Sequence, residues 1–408
     1  MSPCILFSPC HYIFDELKWG SEVSWAYNIA DRISSLYPDS IVVTGCNQAG
    51  IKKKYRIIEL QPSQPTVNLS VINSLIFNIK YSLTTLRLSR KHHFDVIHHV
   101  LPFGIGNTFN ISLIIRSKTT PIVIGPIQAP LAFKDKDIGV EMTADQKVKN
   151  SINFNYIPLL IFGSFLKLIS RMTLMKASKI ITINHYTKDL LQNMGIPETK
   201  IEVIPPGIDT KIFALPVSKS DKSKNFTLIS TSKLLLRKKI DVIILAVKEA
   251  IENHLPVRLI IVGDGPQKQK LESLVTELGM NNFIEFRGYV CHADINRLYS
   301  LANAFVSMSQ DESWGQVYLE AMSCGLPVLT TKNNGSREIL QDGKCGYFVE
   351  TDNPHDLFKK ISLLVNNLDL STKLGKYARK YVRLNYDWDE IVIPRYLNLY
   401  KSISHVRL

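Results

Sequence analysis

Short apolar runs alternate along the chain with longer stretches that are apolar on one face only. Such runs are typical of buried parallel strands, and the amphipathic stretches between them are typical of helices. In the first half the pattern predicts strands at residues 4–7, 41–45, 94–99, 121–126, 179–184 and 201–204, with helices at 20–36 and 71–91. In the second half it predicts strands at residues 226–230, 257–263, 283–286, 305–307, 328–330 and 347–349, with closing helices at 354–386 and 388–402.

Two such alternations predict two α/β domains, each built on a doubly wound, Rossmann-like parallel sheet. A chain of 408 residues is also too long for one ordinary core. Because Pro205-Pro206-Gly207 forms a stiff joint, we place an N-terminal domain at residues 1–205 and a C-terminal domain at 206–386. The last helix, at about 387–408, is expected to pack back on the first domain. Ligands bind at the carboxyl ends of parallel strands, so the facing edges are expected to form a cleft.

The stretch between the predicted strands at 305–307 and 328–330 carries the most informative chemistry. Glu312 lies in the loop after the first strand, a turn through Trp314 opens a short helix, and Glu320 lies one turn further in. A helix N-terminus offers free N–H groups to phosphate, and carboxylates suit hydroxyl-rich ligands. The pattern therefore outlines a sugar-nucleotide site. By itself it fits an ordinary strand-to-helix turn equally well.

Further segments follow one another through the second half in a characteristic order. A G-R-L-x-x-x-K-G-like pattern spans residues 232–239, a G-x-G-P loop spans 263–266, an F-x-G-x-V segment spans 286–290, and an E-x7-E element spans 312–320. In this order they resemble the retaining GT-B glycosyltransferases of family 4. The resemblance is specific over roughly residues 226–350 and loose in the first half, where residues 204–209 look like the family's joint between domains.

The resemblance implies a transferase that needs no metal or other cofactor, because positive charge and helix N–H groups can stabilise the leaving diphosphate. It assigns catalytic roles to Glu312, Lys238 and Lys233, with Glu312 on the donor sugar. It places Glu320 on the ribose, and Tyr289 and Val290 beside the base. The remaining donor-binding positions that it implies are Gly20, Gly263, Trp314, Gly315, Gln316 and Val317.

The chain departs from the family pattern at several positions. Lys233 replaces an Arg, which keeps the charge but loses the bidentate fork, and Lys239 replaces a Gly. The loop that ends at Gln128 lacks the His that many relatives carry beside the transferred sugar. His98 or His99 is the candidate on the acceptor side, and at most one is expected to face the cleft because successive strand residues point oppositely. A purely structural histidine is an equal alternative.

The net charge is +13 and the isoelectric point is about 9.3. Basic residues concentrate at 52–56 and 87–93 without a nucleic-acid recognition pattern, so an anionic membrane or a phosphorylated acceptor is favoured over nucleic acid. Solubility charge is the plain alternative. The segment 151–179 is apolar with interleaved Lys and Arg, which fits either an interfacial helix at a membrane or a helix packed within the domain.

Several other classes of protein are disfavoured. Asp135-Lys136-Asp137 has a metal-binding form but follows no buried strand, and Gly263-x-Gly265 lacks the third glycine of a nicotinamide site. The six cysteines show no paired metal spacing. The apolar passages are too short to span a bilayer, and no signal peptide is predicted. A cytoplasmic location is expected, with peripheral contact at the inner face of the plasma membrane.

The function expected from these observations is transfer of a sugar from a UDP- or GDP-linked donor to a glycan or lipid-linked saccharide, as a hexosyltransferase of the EC 2.4 class. The expected pathway is surface polysaccharide biosynthesis, which includes O-antigen, capsule and lipopolysaccharide. A GT-B epimerase or phosphorylase, or a non-catalytic subunit that binds a sugar nucleotide, is the alternative.

Overall fold

The structure, a computed structural model, falls into two compact units. The described residues up to Gly207, together with those from Trp388 onward, form the first unit, and Ile208–Asp387 form the second. The chain is described here over residues 3–10, 13–14, 21–47, 53–61, 71–100, 110, 112, 120–128, 168–214 and 225–404.

Parallel strands form the main sheet of the first unit, in the order β5-β3-β1-β6-β7-β8-β9. The central strands β1, β3 and β6 are buried throughout, because helices cover a parallel sheet on both faces. A small second sheet pairs β2 with β4. The strands are β1 (Ile5–Phe7), β2 (Ile13–Phe14), β3 (Ile41–Thr44), β4 (Cys46–Asn47), β5 (Arg56–Glu59), β6 (Val96–His99), β7 (Ile122–Ile127), β8 (Lys179–Thr182) and β9 (Ile201–Val203).

Helices α1 (Ser21–Leu36), α2 (Val71–Lys91) and α3 (His185–Asn193) connect these strands, and residues 168–176 are helical before β8. The end of the chain also belongs to this unit. The predicted helix at 388–402 is a π-helical turn, Trp388–Val392, followed by a final α-helix over Ile393–Ile403. This final helix contacts the sheet, since Arg395 donates to the Val203 carbonyl at 2.6 Å and the Tyr400 hydroxyl lies 2.6 Å from His98 Nδ1.

Parallel strands also form the sheet of the second unit, in the order β12-β11-β10-β13-β14-β15. The chain adds β11 and β12 on one side of β10 and then returns to add β13 on the other. The order therefore reverses between β10 and β13, which is where doubly wound sheets bind ligands. The strands are β10 (Phe226–Thr231), β11 (Val257–Val262), β12 (Ile284–Gly288), β13 (Ala304–Ser307), β14 (Val328–Thr331) and β15 (Gly346–Val349).

Helices cover both faces of this second sheet, and a cluster of buried Ile, Leu and Val side chains forms the core beneath α4, α5 and α9. The helices are α4 (Ile240–Glu252), α5 (Lys268–Glu277), α6 (His292–Ser300), α7 (Gln316–Ser323), α8 (Asn334–Ile339), α9 (Pro354–Asn366) and α10 (Leu368–Tyr386); the final helix of the first unit, Ile393–Ile403, is α11. The two sheets confirm the predicted fold class, doubly wound parallel α/β in each unit.

The prediction of one helix over residues 354–386 is wrong. Asn367 has φ −136° and ψ 79°, which lies outside the helical region, and separates α9 from α10. Its side chain accepts a 2.9 Å hydrogen bond from the Leu370 N–H and so caps the second helix. Apolar periodicity continues across this break, which is why the pattern alone suggested a single helix.

Gly375 in α10 lies against the turn that ends α7, and a Cβ at this position would be 2.0 Å from the Gly325 carbonyl oxygen. We expect Gly375→Ala to lower the free energy of unfolding by about 1–3 kcal/mol, because the helix must move away from that turn. Thr372→Ala, at an exposed position of the same helix, is the control and should change it by about 0.5 kcal/mol or less. Thermal and urea denaturation measure the difference, and equal stabilities for the two variants would contradict the close packing.

Candidate functional site

Two loops meet where the strand order of the second unit reverses. The loop after β10 spans residues 232–239, the loop after β13 spans 308–315, and both leave carboxyl ends of neighbouring strands. The Gln310 N–H donates to the Arg237 carbonyl at 2.9 Å, and Arg237 Nη1 donates to the Asp311 carbonyl at 2.6 Å. Backbone and side chain of one arginine therefore fix the second loop to the first.

Glu312 and Lys238, 74 positions apart in sequence, form an ion pair across these loops. Arg237 Nη1 lies 3.9 Å from the same carboxylate oxygen, Oε2, and all three side chains are mostly buried. Partial burial strengthens such contacts relative to a pair in open solvent. Two cations around one carboxylate leave the cluster with a net positive charge, which suits an anionic ligand.

Lys233 lies at the start of the first loop and is exposed. It makes no ion pair with any acidic residue that the structure describes. Its ammonium group therefore remains available to an anion beside the Lys238–Glu312 pair. The structure thus brings the three predicted catalytic residues to one edge of one sheet.

Gly263, directly after β11, packs against the loop that follows β10. Its φ of +137° and its close approach to Ser232 both require glycine, since a Cβ would be 1.8 Å from the Ser232 carbonyl oxygen. Gly265 approaches the Leu234 backbone in the same way. The structure therefore gives Gly263 a structural reason to lack a side chain, and its contact with a donor stays a prediction.

The N-terminus of α7 completes the edge. Gly315 has φ +85°, and a Cβ there would be 2.3 Å from the Tyr318 ring. Trp314 is buried with its ring 5.9 Å from that of Tyr386, whereas Gln316 and Val317 are half-buried. The first N–H groups of a helix lack intrahelical acceptors, so this end can donate to phosphate.

Helix α8 braces the Glu312 loop, a feature that sequence reasoning missed. The Gly335 N–H donates to the Glu312 carbonyl at 2.8 Å, and a Cβ on Gly335 would be 2.0 Å from the Trp314 carbonyl oxygen. Asn333 and Ser336 form a reciprocal capping box at the start of this helix. The Asn-x-x-Ser pattern before a helix was the available signal.

Glu320 is buried within α7 and accepts a 3.0 Å hydrogen bond from the Tyr299 hydroxyl. Tyr299 also lies 2.9 Å from the Thr231 hydroxyl at the end of β10. Burial, reinforced by the charge of Glu320, raises the pKa of Tyr299 well above its usual value. Contact of Glu320 with a ribose stays a prediction. Within the protein, Tyr299 is a hydrogen-bond partner of Glu320.

Tyr289 and Val290 follow β12 at the same edge. Tyr289 is largely exposed, and Val290 is half-buried. The Gly263 N–H donates to the Gly288 carbonyl at 2.8 Å, which holds this segment beside the loop after β11. An exposed aromatic side chain next to these loops suits a flat base, as predicted from the resemblance.

His98 and His99 end β6 in the first unit, and neither is exposed. His98 Nε2 donates to the Gly125 carbonyl at 2.9 Å and Nδ1 accepts from the Tyr400 hydroxyl, which defines a neutral tautomer. Burial lowers the pKa of each histidine to about 3. This is the placement of structural histidines, the alternative left open by the sequence.

Glu22 is a candidate that sequence reasoning did not single out. It lies in the first turn of α1 and accepts a hydrogen bond from the Gln128 side chain, which follows the carboxyl end of β7. Burial raises the pKa of Glu22. An acid two residues after Gly20 and a Gln in the loop that lacks the expected His were the available signals. Gly20 itself and Asp135-Lys136-Asp137 lie outside the described residues.

Within the described ranges, no three His, Cys, Asp or Glu side chains converge as ligands of a metal ion. The described helices also include none with the length and apolar content needed to cross a membrane.

Two family profiles match this chain. One, described as Glycosyltransferase Family 4, covers residues 24–212, and the other, described as Glycosyl transferases group 1, covers residues 214–381. A GDP-mannose-dependent alpha-(1-6)-phosphatidylinositol monomannoside mannosyltransferase of Mycobacterium tuberculosis is 25% identical over 51% of this chain and 58% of the relative. The chain matches curated relatives over about half to three-fifths of their length.

Solved structures share the fold over nearly the whole chain, and two of them serve as examples. Anabaena HepE in complex with UDP has a TM-score of 0.67 at 18% identity, covering 98% of this chain and 100% of that one. WaaG, a glycosyltransferase involved in lipopolysaccharide biosynthesis, has a TM-score of 0.64 at 18% identity, covering 99% and 100%. The shared fold is GT-B, with two Rossmann-like domains.

The buried histidines predict a pH dependence of stability. Folded His98 and His99 have pKa values of about 3, whereas unfolded histidine ionises near pH 6.5. Below that pH the unfolded chain binds more protons, so the free energy of unfolding falls as the pH drops from about 6.5 towards 3. His99→Phe keeps a ring against Tyr81 and cannot bind a proton, so we expect its slope between about pH 6 and 4 to be shallower by about 1.4 kcal/mol per pH unit.

Denaturant titrations at several pH values measure this slope. His93→Phe is the control for the same substitution at a surface position, because the His93 side chain is 85% exposed. Equal slopes for His99→Phe and the unmodified chain would contradict a buried neutral imidazole.

Proposed function

Because the chain belongs to glycosyltransferase family 4, we propose that it is a retaining glycosyltransferase which moves a sugar from a nucleotide donor to a glycan or lipid-linked saccharide. The observation that carries the proposal is the positively charged cluster of Lys238, Arg237 and Glu312 beside the exposed Lys233. The cluster lies at the carboxyl edge where a doubly wound sheet binds its ligand.

The chemistry of sugar transfer explains this charge. As the bond between the sugar C1 and the diphosphate oxygen breaks, negative charge grows on the departing nucleoside diphosphate. Lys233, Lys238 and the N–H groups at the start of α7 stabilise that charge, and their fixed positions avoid reorganisation during the reaction. No metal or other cofactor is part of the proposal.

Lys238 can serve the donor without releasing Glu312, since an ammonium group has three N–H donors. One holds the carboxylate, which leaves others for the diphosphate. The second carboxylate oxygen of Glu312 accepts from a hydroxyl of the donor sugar. Glu320 binds the ribose, and Tyr289 lies beside the base.

The donor is a UDP- or GDP-linked sugar. This choice is supported by the UDP that HepE binds and by the GDP-mannose dependence of the mycobacterial relative. Retention of configuration is part of the proposal, because the motifs of the second half resemble those of the retaining members of the family. The acceptor belongs to surface polysaccharide biosynthesis, for which the role of WaaG in lipopolysaccharide biosynthesis is the support. The location that goes with this proposal is the cytoplasm, at the inner face of the plasma membrane.

The first unit holds the acceptor in this proposal. Glu22 and Gln128 are better suited than His98 and His99, because both are half-buried at the carboxyl edge whereas the histidines are buried in the sheet. A carboxyl group and an amide are side chains that bind saccharide hydroxyls well.

A thermal-shift screen of UDP- and GDP-sugars, followed by assays of donor hydrolysis and transfer, tests the donor site. Binding of the correct donor raises the melting temperature by mass action. We expect Lys238→Met and Glu312→Gln to lower turnover by about 10²–10³, the usual effect of losing one group that stabilises transition-state charge. Lys239→Met is the matched control, since the adjacent lysine pairs with Asp352 at 2.9 Å, and it should retain turnover within about three-fold.

Other outcomes would identify the alternatives. Donor binding without turnover on any acceptor would contradict the enzyme and indicate a binding subunit. Release of a sugar phosphate from a glycan in inorganic phosphate would indicate a phosphorylase, and conversion of a free sugar nucleotide would indicate an epimerase.

A further inference from the structure

Helix α2 exposes a continuous stripe that faces away from the sheet. Ile76, Ile79 and Leu83 follow one another at intervals of three and four residues and are 41–49% exposed. Large apolar side chains at this spacing form one face of a helix. The exposed residues that complete this stripe are basic: Lys80, Arg87, Arg90 and Lys91.

The helical residues 168–176 repeat the arrangement. Leu168, Met172 and Met175 are 43–55% exposed, again at intervals of three and four. Arg171 and Lys176 are exposed between and after them. We call the two stripes together the basic–apolar face.

Both stripes belong to one layer of the first unit. Leu88, on the inner side of α2, and Leu174, on the inner side of residues 168–176, pack in a single cluster with Leu6, Ile97 and Ile124 of the sheet. Their outer sides therefore point to solvent on the same side of the sheet. The usual right-handed crossover from β5 to β6 and from β7 to β8 also places α2 and residues 168–176 on one side of the sheet.

The charged side chains of this face are all positive. Neither Val71–Lys91 nor residues 168–176 contains an Asp or Glu. Within the described residues, no carboxylate forms an ion pair with the six exposed cations of the face. The neighbouring helix α3 differs, since it carries Asp189 and pairs Lys188 with Glu198.

Exposed cations that have no acidic partner among the described residues fit an anionic surface, and exposed Ile, Leu and Met side chains fit the boundary between headgroups and acyl chains. We propose that the basic–apolar face docks the first unit on an anionic lipid bilayer. The inference builds on the proposed function, because a lipid-linked acceptor must be met at a membrane.

The apolar half of α2 lies next to the ligand edge of the first sheet. The Thr85 hydroxyl lies 2.5 Å from that of Ser8, the first residue after β1, and the Tyr81 ring contacts His99 at the end of β6. Ile76, Ile79 and Leu83 therefore lie at or beyond the carboxyl edge, whereas Arg87 and Arg90 lie towards the opposite edge. Docking through this face brings the acceptor-binding edge to the lipid surface.

Flotation of the purified full chain with vesicles tests the docking. We expect binding to vesicles of mixed phosphatidylcholine and phosphatidylglycerol, weaker binding in high salt, and little binding to phosphatidylcholine alone. Each cation at an anionic surface contributes about a five-fold factor, so the triple change Arg87→Glu, Arg90→Glu and Lys91→Glu should weaken binding by roughly 100-fold or more. Ile79→Ser with Leu83→Ser and Met172→Ser should weaken it by roughly ten-fold or more.

A variant with the same net charge but with its changes elsewhere tests whether vesicle binding depends on this face or only on the net charge of the protein. Helix α10 of the second unit also exposes lysines, and Lys373→Glu with Lys376→Glu and Lys380→Glu makes the same change in net charge. This variant should bind vesicles like the unmodified chain. Loss of binding in the α10 variant with retention in the α2 variant would overturn the proposal, as would equal binding to neutral and anionic vesicles or no binding to either.

Two further measurements on the same variants distinguish membrane docking from self-association and from damage to the donor site. Sedimentation detects self-association: a dimer that the apolar variant converts to monomer, with vesicle binding unchanged, would show that the face joins copies of the chain and would overturn membrane docking. Thermal shifts with UDP- and GDP-sugars report the donor site, which the α2 variant should leave intact. A missing donor shift in the unmodified chain would oppose the proposed function and leave vesicle binding as an independent result.

Discussion

The pairing of β10 with β13 is the constraint on which the candidate donor site depends. Leu228 pairs with Ala304 and Ile229 with Phe305 in parallel register, so both strands end at the same edge. The loops that follow must leave side by side because the strand order reverses between them. Lys238 and Glu312 meet for this reason, although three strands and three helices separate them along the chain.

Close backbone contacts hold this edge in shape. Gly263 allows the loop after β11 to touch the Lys233 loop, and Gly335 allows α8 to touch the Trp314 turn. Arg237 adds bonds from both its backbone and its side chain to the Glu312 loop. These contacts fix the positions of the charged side chains, and fixed charges are what electrostatic stabilisation of a transition state requires.

The apolar pattern of the sequence predicts some elements of the fold correctly and misses others. Buried strands such as Phe226–Thr231 and Val257–Val262 were evident, because a parallel sheet covered on both faces imposes continuous apolar runs. The break at Asn367 was missed, because a single capping residue hardly disturbs apolar periodicity. The place of His98 and His99 at a strand end makes them candidates for the acceptor side, yet the contacts with Tyr400 and Gly125 hold His98 in the interior.

The sequence by itself determined the fold class, the order of the motifs and the family, since these follow from local periodicity and from residue types at fixed spacings. It also singled out Glu312, Lys233 and Lys238 as candidate site residues. Only the tertiary structure decided that Arg237 joins the two loops, that Glu320 is bonded to Tyr299, and that the cations of α2 and of residues 168–176 share one face. Those facts depend on which distant segments become neighbours in space, and the spacing of residues along the chain does not encode them.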